Sequence, residues 1–246
     1  MQAWSRFLRG VVGRPVRQAW GLAANGPTWS LVGLSLQTPD LVRVHTTRQL
    51  LCADRFSSEG LGAQLREVGM TRGRSRHRVS MALEADQLVS GVLEFPAQMP
   101  HDDWGTEVQL EVSQMLGKAP DEVNFDFHPE ARSDGAVQRV HWVGCSQSQI
   151  DDFKSCARFA GWQLDSVEPA VHAAQRAASS LQGGLVSLLT QPTQDWQFGL
   201  DRIRGASEPE PFHPLAFMSD PALQQAMKSE AGSRLVASGL ALKAWL

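Results

Sequence analysis

Residues 99–127, MPHDDWGTEVQLEVSQMLGKAPDEVNFDF, change from one periodicity to another, and that change decides how the chain is read. Trp104, Val108, Val112 and Met115 fall at i, i+4, i+8 and i+11, one apolar stripe of a helix. Asp102 and Asp103 sit in its first turn, where acids complement the helix dipole. Residues 117–120 break the helix, and residues 121–127 then alternate. Val123, Phe125 and Phe127 point one way and Asn124 and Asp126 the other, as in a half-buried strand. Glu107 and Glu111 lie one turn apart on the polar face. With no His or Cys at ligand spacing beside them, they read as a solvated or partner-facing surface rather than as acid/base or metal chemistry.

Moving outward, Asp134-Gly135 marks a hairpin turn and residues 137–143 return as a partner strand. His128 and His141 face each other across that hairpin; without a third ligand they read as ordinary strand residues, and no metal is expected. Ser146 and Gln149 form a capping-box signature, Ile150, Phe153, Ala157 and Ala160 the stripe that follows, and Gly161 the stop. Pro169 opens a further helix. On the amino-terminal side, residues 30–36 and 41–46 read as two strands around a turn at Pro39, and residues 60–68 as a helix. The basic stretch TRGRSRHR (71–78) reads as a solvated loop, and residues 79–83 and 88–95 as a second pair of strands closed by Pro96.

A chain of 246 residues with 42% hydrophobic and 20% charged side chains can bury a core as one large or two small domains. Its net charge of −3 argues against nucleic acid as a partner, because neutralising phosphates takes clustered Lys and Arg. No apolar run reaches the roughly 18–20 residues that cross a bilayer. Cys52, Cys145 and Cys156 form no CxxC and are odd in number, which points to reduced thiols in a reducing compartment; Cys145 and Cys156 are expected free and buried. Residues 1–28 read as an arm within an acid-free stretch that runs through residue 39, with Arg6, Arg9, Arg14 and Arg17 set among Trp4, Phe7, Leu8 and Val11. Two readings stand. One is a basic amphipathic helix touching a membrane surface or partner through Trp4, Arg6, Phe7 and Arg9. The other is an arm packed on its own domain. The lack of a continuous apolar stretch argues against a secretory signal, while the Arg-rich, acid-free start also resembles an organelle transit peptide.

Three segments in order, VSMALEADQLVSGVLEFPAQMP (79–100), the following residues through DEVNFDF (to 127), and GCSQSQIDDFKSCARFAGWQLDSVEPAVHAAQRA (144–177), resemble PilM. That is the actin-like cytoplasmic protein family of type IV pilus assembly, related to the cell-division actin homologue FtsA. The resemblance implies an α/β fold of actin-like (ribonuclease H-like) lobes. The first lobe would span residues 29–180, with a small αβ subdomain inserted at about 95–147. A truncated second lobe and its final helix would remain in 181–246, where EPEPFHPLAF (208–217) and RLVASGLALKAWL (234–246) match late family segments.

The family opens with an Asp-x-Gly-Ser-Ser phosphate loop. Matched to the turn at 35–39, it becomes Ser35, Gln37 and Thr38, followed by Pro39, which has no N–H for a phosphate. Neither Gly183-Gly184 nor TQPTQD (190–195) restores a second loop. The expectation is therefore no cofactor, no catalytic residues and no enzymatic activity. The resemblance names as partner the cytoplasmic tail of a PilN-like inner-membrane protein, held in a cleft between the first core subdomain and the insert. Leu110, Glu111, Gln114, Met115, Leu116 and Lys118 match that cleft, and Lys118 stands where the family has Phe. Other pilus platform or motor proteins are further candidate partners, with the chain at the cytoplasmic face of the inner membrane and in peripheral contact with it. The alternatives are a nucleotide-dependent actin-like ATPase switch and a membrane-surface protein acting through the Arg/Trp arm.

Overall fold

The computed structural model describes residues 18–51, 58–70, 77–130, 137–204 and 220–246. The expected helix at residues 1–12 with Trp4, Arg6, Phe7 and Arg9, then Cys52, loop residues 71–76, the Asp134-Gly135 turn and residues 208–217 all lie outside that set. The described chain forms two units. The elements in order are β1 (Gln18–Asn25), β2 (Thr28–Thr38), β3 (Leu41–Leu51), α1 (Ser58–Met70), β4 (Arg78–Leu83), β5 (Val89–Pro96), α2 (His101–Leu116), β6 (Val123–Pro129) and β7 (Val137–Ser146). After them come α3 (Gln147–Phe159), β8 (Gln163–Pro169), α4 (Ala170–Ser180), α5 (Val186–Thr190), β9 (Gln197–Gly199), α6 (Asp201–Arg204), α7 (Pro221–Lys228) and α8 (Gly232–Leu242).

The larger unit is built on a six-stranded sheet in the order β8-β4-β1-β2-β3-β9. β1, β2, β3 and β9 run antiparallel in succession, whereas β1, β4 and β8 are parallel. β1 falls inside the segment read as an arm, so the strands read at 30–36 and 41–46 are the second and third of the sheet. This moves the first hairpin. It is the two-residue turn Gly26-Pro27, fixed by the Asn25↔Thr28 pair and by Gly26 at φ +60°, a dihedral that costs glycine little. Ser35, Gln37 and Thr38 instead lie in β2, ahead of the second turn, where the Gln37 amide donates to Ser35 Oγ (2.9 Å). In this strand order the three residues precede the second hairpin turn of the sheet and not the first. A second correction concerns β4 and β5. They do not pair with each other, because β4 enters the large sheet and β5 a separate three-stranded one.

One face of the large sheet is covered by α4 and α8. In α4, Ala170, Ala173, Ala174 and Ala177 form a buried stripe of minimal side chains, and α8 is buried from Gly232 to Leu242 except at Arg234. A helix apolar on all sides belongs inside a core. Its approach is so close that a Cβ built on Gly21 would lie 1.9 Å from the Ala237 carbonyl, and one on Gly239 1.7 Å from that of Ala173. Buried Ser30 and Ser233 join β2 to α8 through their hydroxyls at 2.8 Å. Residues 181–246, read as the remnant of a second lobe, thus supply the sheet's last strand and the helix that covers it. On the opposite face Trp20 meets Trp162 edge-on (5.4 Å), Trp29 meets Phe153 (6.3 Å), and Gly62 of α1 lies against Phe159.

Glu168, at the end of β8, pins both covering helices. Arg176 of α4 donates to Glu168 Oε1 (2.5 Å) and Oε2 (2.9 Å) and also to the Gly239 carbonyl (2.8 Å), while Lys243 Nζ reaches Oε2 at 3.2 Å. Burial pushes the Glu168 carboxyl up, but the charge and hydrogen bonds of Arg176, then those of Lys243, outweigh it and bring the pKa down to about 2. Nearby, burial pushes the His172 imidazole down to about 4, against the pull of Glu168 and with help from Arg176 and Lys243.

A depressed carboxylate contributes stability above its ordinary pKa and loses it as pH falls through the folded value. A histidine kept neutral costs stability as pH falls from about 6.5 towards 4, because the unfolded chain takes up a proton that the folded one refuses. Melting temperature is therefore expected to fall from pH 6.5 to 4, with a shallower slope in His172→Gln. Glu168→Gln, which leaves buried Arg176 without its counter-charge, should cost about 3–5 kcal/mol in urea unfolding at pH 7.

Candidate functional site

The smaller unit is an antiparallel sheet in the order β5-β7-β6 with α2 on one face. Trp104, Val108 and Val112 of α2 pack on Phe95, Val123, Val140 and Trp142, with Phe125 and Phe127 at the margin. Two rings stack on Trp104, Phe95 at 5.8 Å and His101 at 3.9 Å. The helix stripe and the strand alternation are as the sequence has them, except at one end. Met115, the fourth member of the stripe, is 53% exposed, because in the last turn the covered edge is that of Val112, Ser113 and Leu116.

The helix ends in a Schellman turn. Gly117 (φ +61°) donates to the Gln114 carbonyl at 3.2 Å and Lys118 to that of Ser113 at 3.0 Å. Beyond it the Gln109 amide bonds the Pro120 carbonyl (2.5 Å) and Glu122 accepts from the Ala119 N–H (3.1 Å). Residues 115–120 are therefore held by backbone and side-chain bonds alike, and the Lys118 side chain stands out from a fixed turn.

The residues expected to meet a partner fall into two sets. Leu110, 43% exposed, and Met115 are apolar side chains left in solvent. At about 100° per residue they stand roughly 140° apart around α2, with Glu107, Glu111 and Gln114 between them. Gln114 and Lys118 are exposed and Glu111 is half-buried. Leu116 differs from the rest: it is half-buried and packs on the unit's own core, which limits what it can offer a partner.

Catalytic chemistry finds little to work with here. His128 and His141 are direct partners in the β6–β7 register, and a Glu130 carboxylate oxygen lies 3.9 Å from His141 Nε2. Among the described residues, however, no group of three or more His, Cys, Asp or Glu is placed to hold a metal. Cys145 and Cys156 are free and buried, and burial pushes the Cys145 thiol up to about 12, so it carries no thiolate at neutral pH. The capping box is formed in both directions. Ser146 N–H donates to the Gln149 side chain (3.0 Å) and Gln149 N–H to Ser146 Oγ (3.4 Å). Sequence reasoning missed the Glu168–Arg176–Lys243 cluster. The Val-Glu-Pro motif marked the glutamate, but nothing marked partners that arrive from two separate helices.

The seating of α2 depends on Gly144 of β7, where a Cβ would lie 2.4 Å from a Val112 methyl. Gly144→Ala should cost about 1–3 kcal/mol in chemical denaturation through overpacking. Combining it with Val112→Ala should recover part of that loss, since the second change removes the colliding methyls.

The family model for the type IV pilus assembly protein PilM matches residues 47–193, more than half of the chain. No curated protein matches. Among solved structures the chain is similar to one described as a PilM-PilN type IV pilus biogenesis complex, at 20% identity and a TM-score of 0.52, covering 68% of this chain. It spans 54% of the length of that structure's chain. It is also similar to the cytoplasmic domain of EpsL, an inner-membrane component of the type II secretion system of Vibrio cholerae, at 13% identity and a TM-score of 0.48. That match covers 63% of this chain and 58% of that one. No helix among the described residues is long and apolar enough to cross a membrane. With the matched segment running from β3 through the whole small unit to α5, the chain belongs to the family of the type IV pilus assembly protein PilM.

Proposed function

We propose that this chain is a non-catalytic scaffold of the type IV pilus inner-membrane platform. In this reading the outer side of α2 and the turn after it receive the cytoplasmic tail of a PilN-like membrane protein. One observation carries it: α2 leaves Leu110 and Met115 in solvent on either side of Glu107, Glu111 and Gln114, next to a turn whose backbone is fixed. Apolar side chains of a tail cover Leu110 and Met115, and basic ones face the two glutamates. Membership of the PilM family and the likeness to a PilM-PilN complex support this choice of partner. Lys118 demands a tail adapted to it, with a polar or acidic residue where the Phe-bearing members accept an apolar one. The tail then holds the scaffold at the cytoplasmic face of the inner membrane.

The non-catalytic part rests on the first hairpin. If the family's phosphate loop belongs there, its place is taken by Ala23, Ala24, Asn25, Gly26 and Pro27, with no carboxylate for a metal and one N–H fewer for a phosphate.

Titration of the full chain with a synthetic tail of the PilN-like protein should give binding weakened at least tenfold, about 1.4 kcal/mol, by Leu110→Glu or Met115→Glu. Melting temperature should not change, since both side chains are exposed. Unaltered affinity in both variants would sink the assignment. Calorimetry with ATP and magnesium should show no binding heat, and micromolar affinity would overturn the non-catalytic reading.

A further inference from the structure

A second surface lies on the larger unit, and its assignment does not depend on the α2 reading. β8 is the last strand of the six-stranded sheet, and among the described residues no strand pairs with it on the side away from β4, an open edge. At its start is a cavity of about 410 Å³ lined by Lys154, Arg158, Gly161, Trp162, Gln163 and Leu164. The turn between α3 and β8 shapes it. Gly161 donates to the Arg158 carbonyl at 3.0 Å, and Trp162 to that of Ala157 at 2.8 Å. This folds the end of α3 back so that two cations, one helical turn apart, overhang the strand. Lys154 is shared with Asp151 at 3.0 Å, whereas Arg158 makes no ion pair or hydrogen bond among the described residues. Asp165, the acid of β8 nearest to them in sequence, is taken by Arg78.

The backbone completes the site. Gln163 donates its N–H to the His77 carbonyl on the β4 side at 2.8 Å. The register with β4 then shifts from Val79↔Leu164 to Ser80↔Ser166, a bulge that leaves Asp165 outside the ladder, so the backbone at 164–165 is not committed to regular pairing with β4. Leu164 is half-buried and Trp162 is 6% exposed, which gives the cavity an apolar floor beneath its cations. An unpaired strand edge, a side-chain-sized hollow and an unneutralised arginine together fit one kind of ligand.

We propose that the β8 edge and this cavity dock an extended acidic segment of a partner protein, which pairs its backbone with β8 around the bulge at 164–165 and places a Glu or Asp side chain against Arg158 and Lys154. Backbone pairing supplies the affinity and the carboxylate sets the register, as in other strand-addition sites. Charge complementarity fixes the sign of the partner, because a basic segment would meet both cations at the entrance.

The test uses the full chain and two fluorescein-labelled peptides, Thr-Glu-Val-Thr-Val-Glu-Thr and its counterpart with Lys in place of both Glu. Saturable anisotropy is expected with the acidic peptide only, weakened at least tenfold by the double variant Lys154→Glu/Arg158→Glu. Amide exchange across residues 163–169 should slow when the acidic peptide is added and stay fast with the basic one. The double variant should keep the wild-type melting temperature and its affinity for the PilN-like tail, which separates this site from the face of α2. Equal binding of both peptides, an unaffected double variant, or unchanged exchange at residues 163–169 would overturn the proposal. So would loss of binding to phosphatidylglycerol vesicles in the double variant without any binding of the acidic peptide, which would assign the cations to lipid instead.

Discussion

The larger unit depends on how close a helix backbone can come to a strand. α8 lies directly on β1 because Gly21 has no side chain, and against α4 because Gly239 has none, with carbonyl oxygens standing where Cβ atoms would otherwise be. Contact at that distance excludes water completely and brings many atom pairs near their dispersion optimum, at a point where one extra methyl must displace backbone. The alanines of α4 continue the same solution across the helix pair. Glu168 then fixes the angle, since its bidentate bond from Arg176 and its bond from Lys243 tie strand, covering helix and final helix to one buried carboxylate. Such a charge is tolerated only while its partners stay in place, so the cluster makes the docked arrangement all-or-none.

The smaller unit uses the same device on a smaller scale, and this explains why α2 is left with a usable outer side. Gly144 lets Val112 settle onto β7, so a stripe of Trp104, Val108 and Val112 is enough to seat the helix on three strands. The sheet follows α2 to its last turn but on one edge of the stripe, where Val112 and Ser113 are buried and Leu116 packs on the core. Met115 on the other edge is therefore left in solvent. Leu110 is exposed for another reason, since it sits on the far side from the stripe among carboxylates, where a side chain serving only the fold would be polar. The two exposures have different geometric origins and arise on one helix beside one rigid turn.

Much of this was legible in the sequence because the signals were local. The stripe of α2, the alternation of β6, the capping box at Ser146 and the break at Gly117 each depend on spacing within a few residues, and each formed as spaced. What was not legible depended on partners far along the chain. β1 was hidden because WGLAA follows an arginine-rich stretch and its α8-facing positions, Ala19, Gly21 and Ala23, carry almost no side chain; its strand character comes from the room it leaves for α8. The pairing of β4 with β8 rather than β5 is a matter of which edges find each other, which no run of residues encodes. Met115 misled the reading because periodicity identifies a face and not which edge of it is covered, and in the last turn that edge is the one of Ser113 and Leu116.

The position of the first hairpin bears on the functional proposal. Matched to Ser35, Gln37 and Thr38, the phosphate loop already lacked its Asp and Gly. With β1 in place, the first hairpin turns on Gly26-Pro27 and its rising strand ends in Ala23, Ala24 and Asn25. Ala23 is fully buried and belongs to the core under α8, so the position serves packing, where a metal-binding carboxylate would need access to solvent and ligand. Burying a charge at that point without partners would be far too costly to retain. Ala23 thus belongs to the interior that holds α8, while Gly26 and Pro27 of the turn itself are exposed. The two surfaces proposed for partners therefore lie outside this packing: an apolar and acidic helix face on one unit, and a basic strand edge on the other.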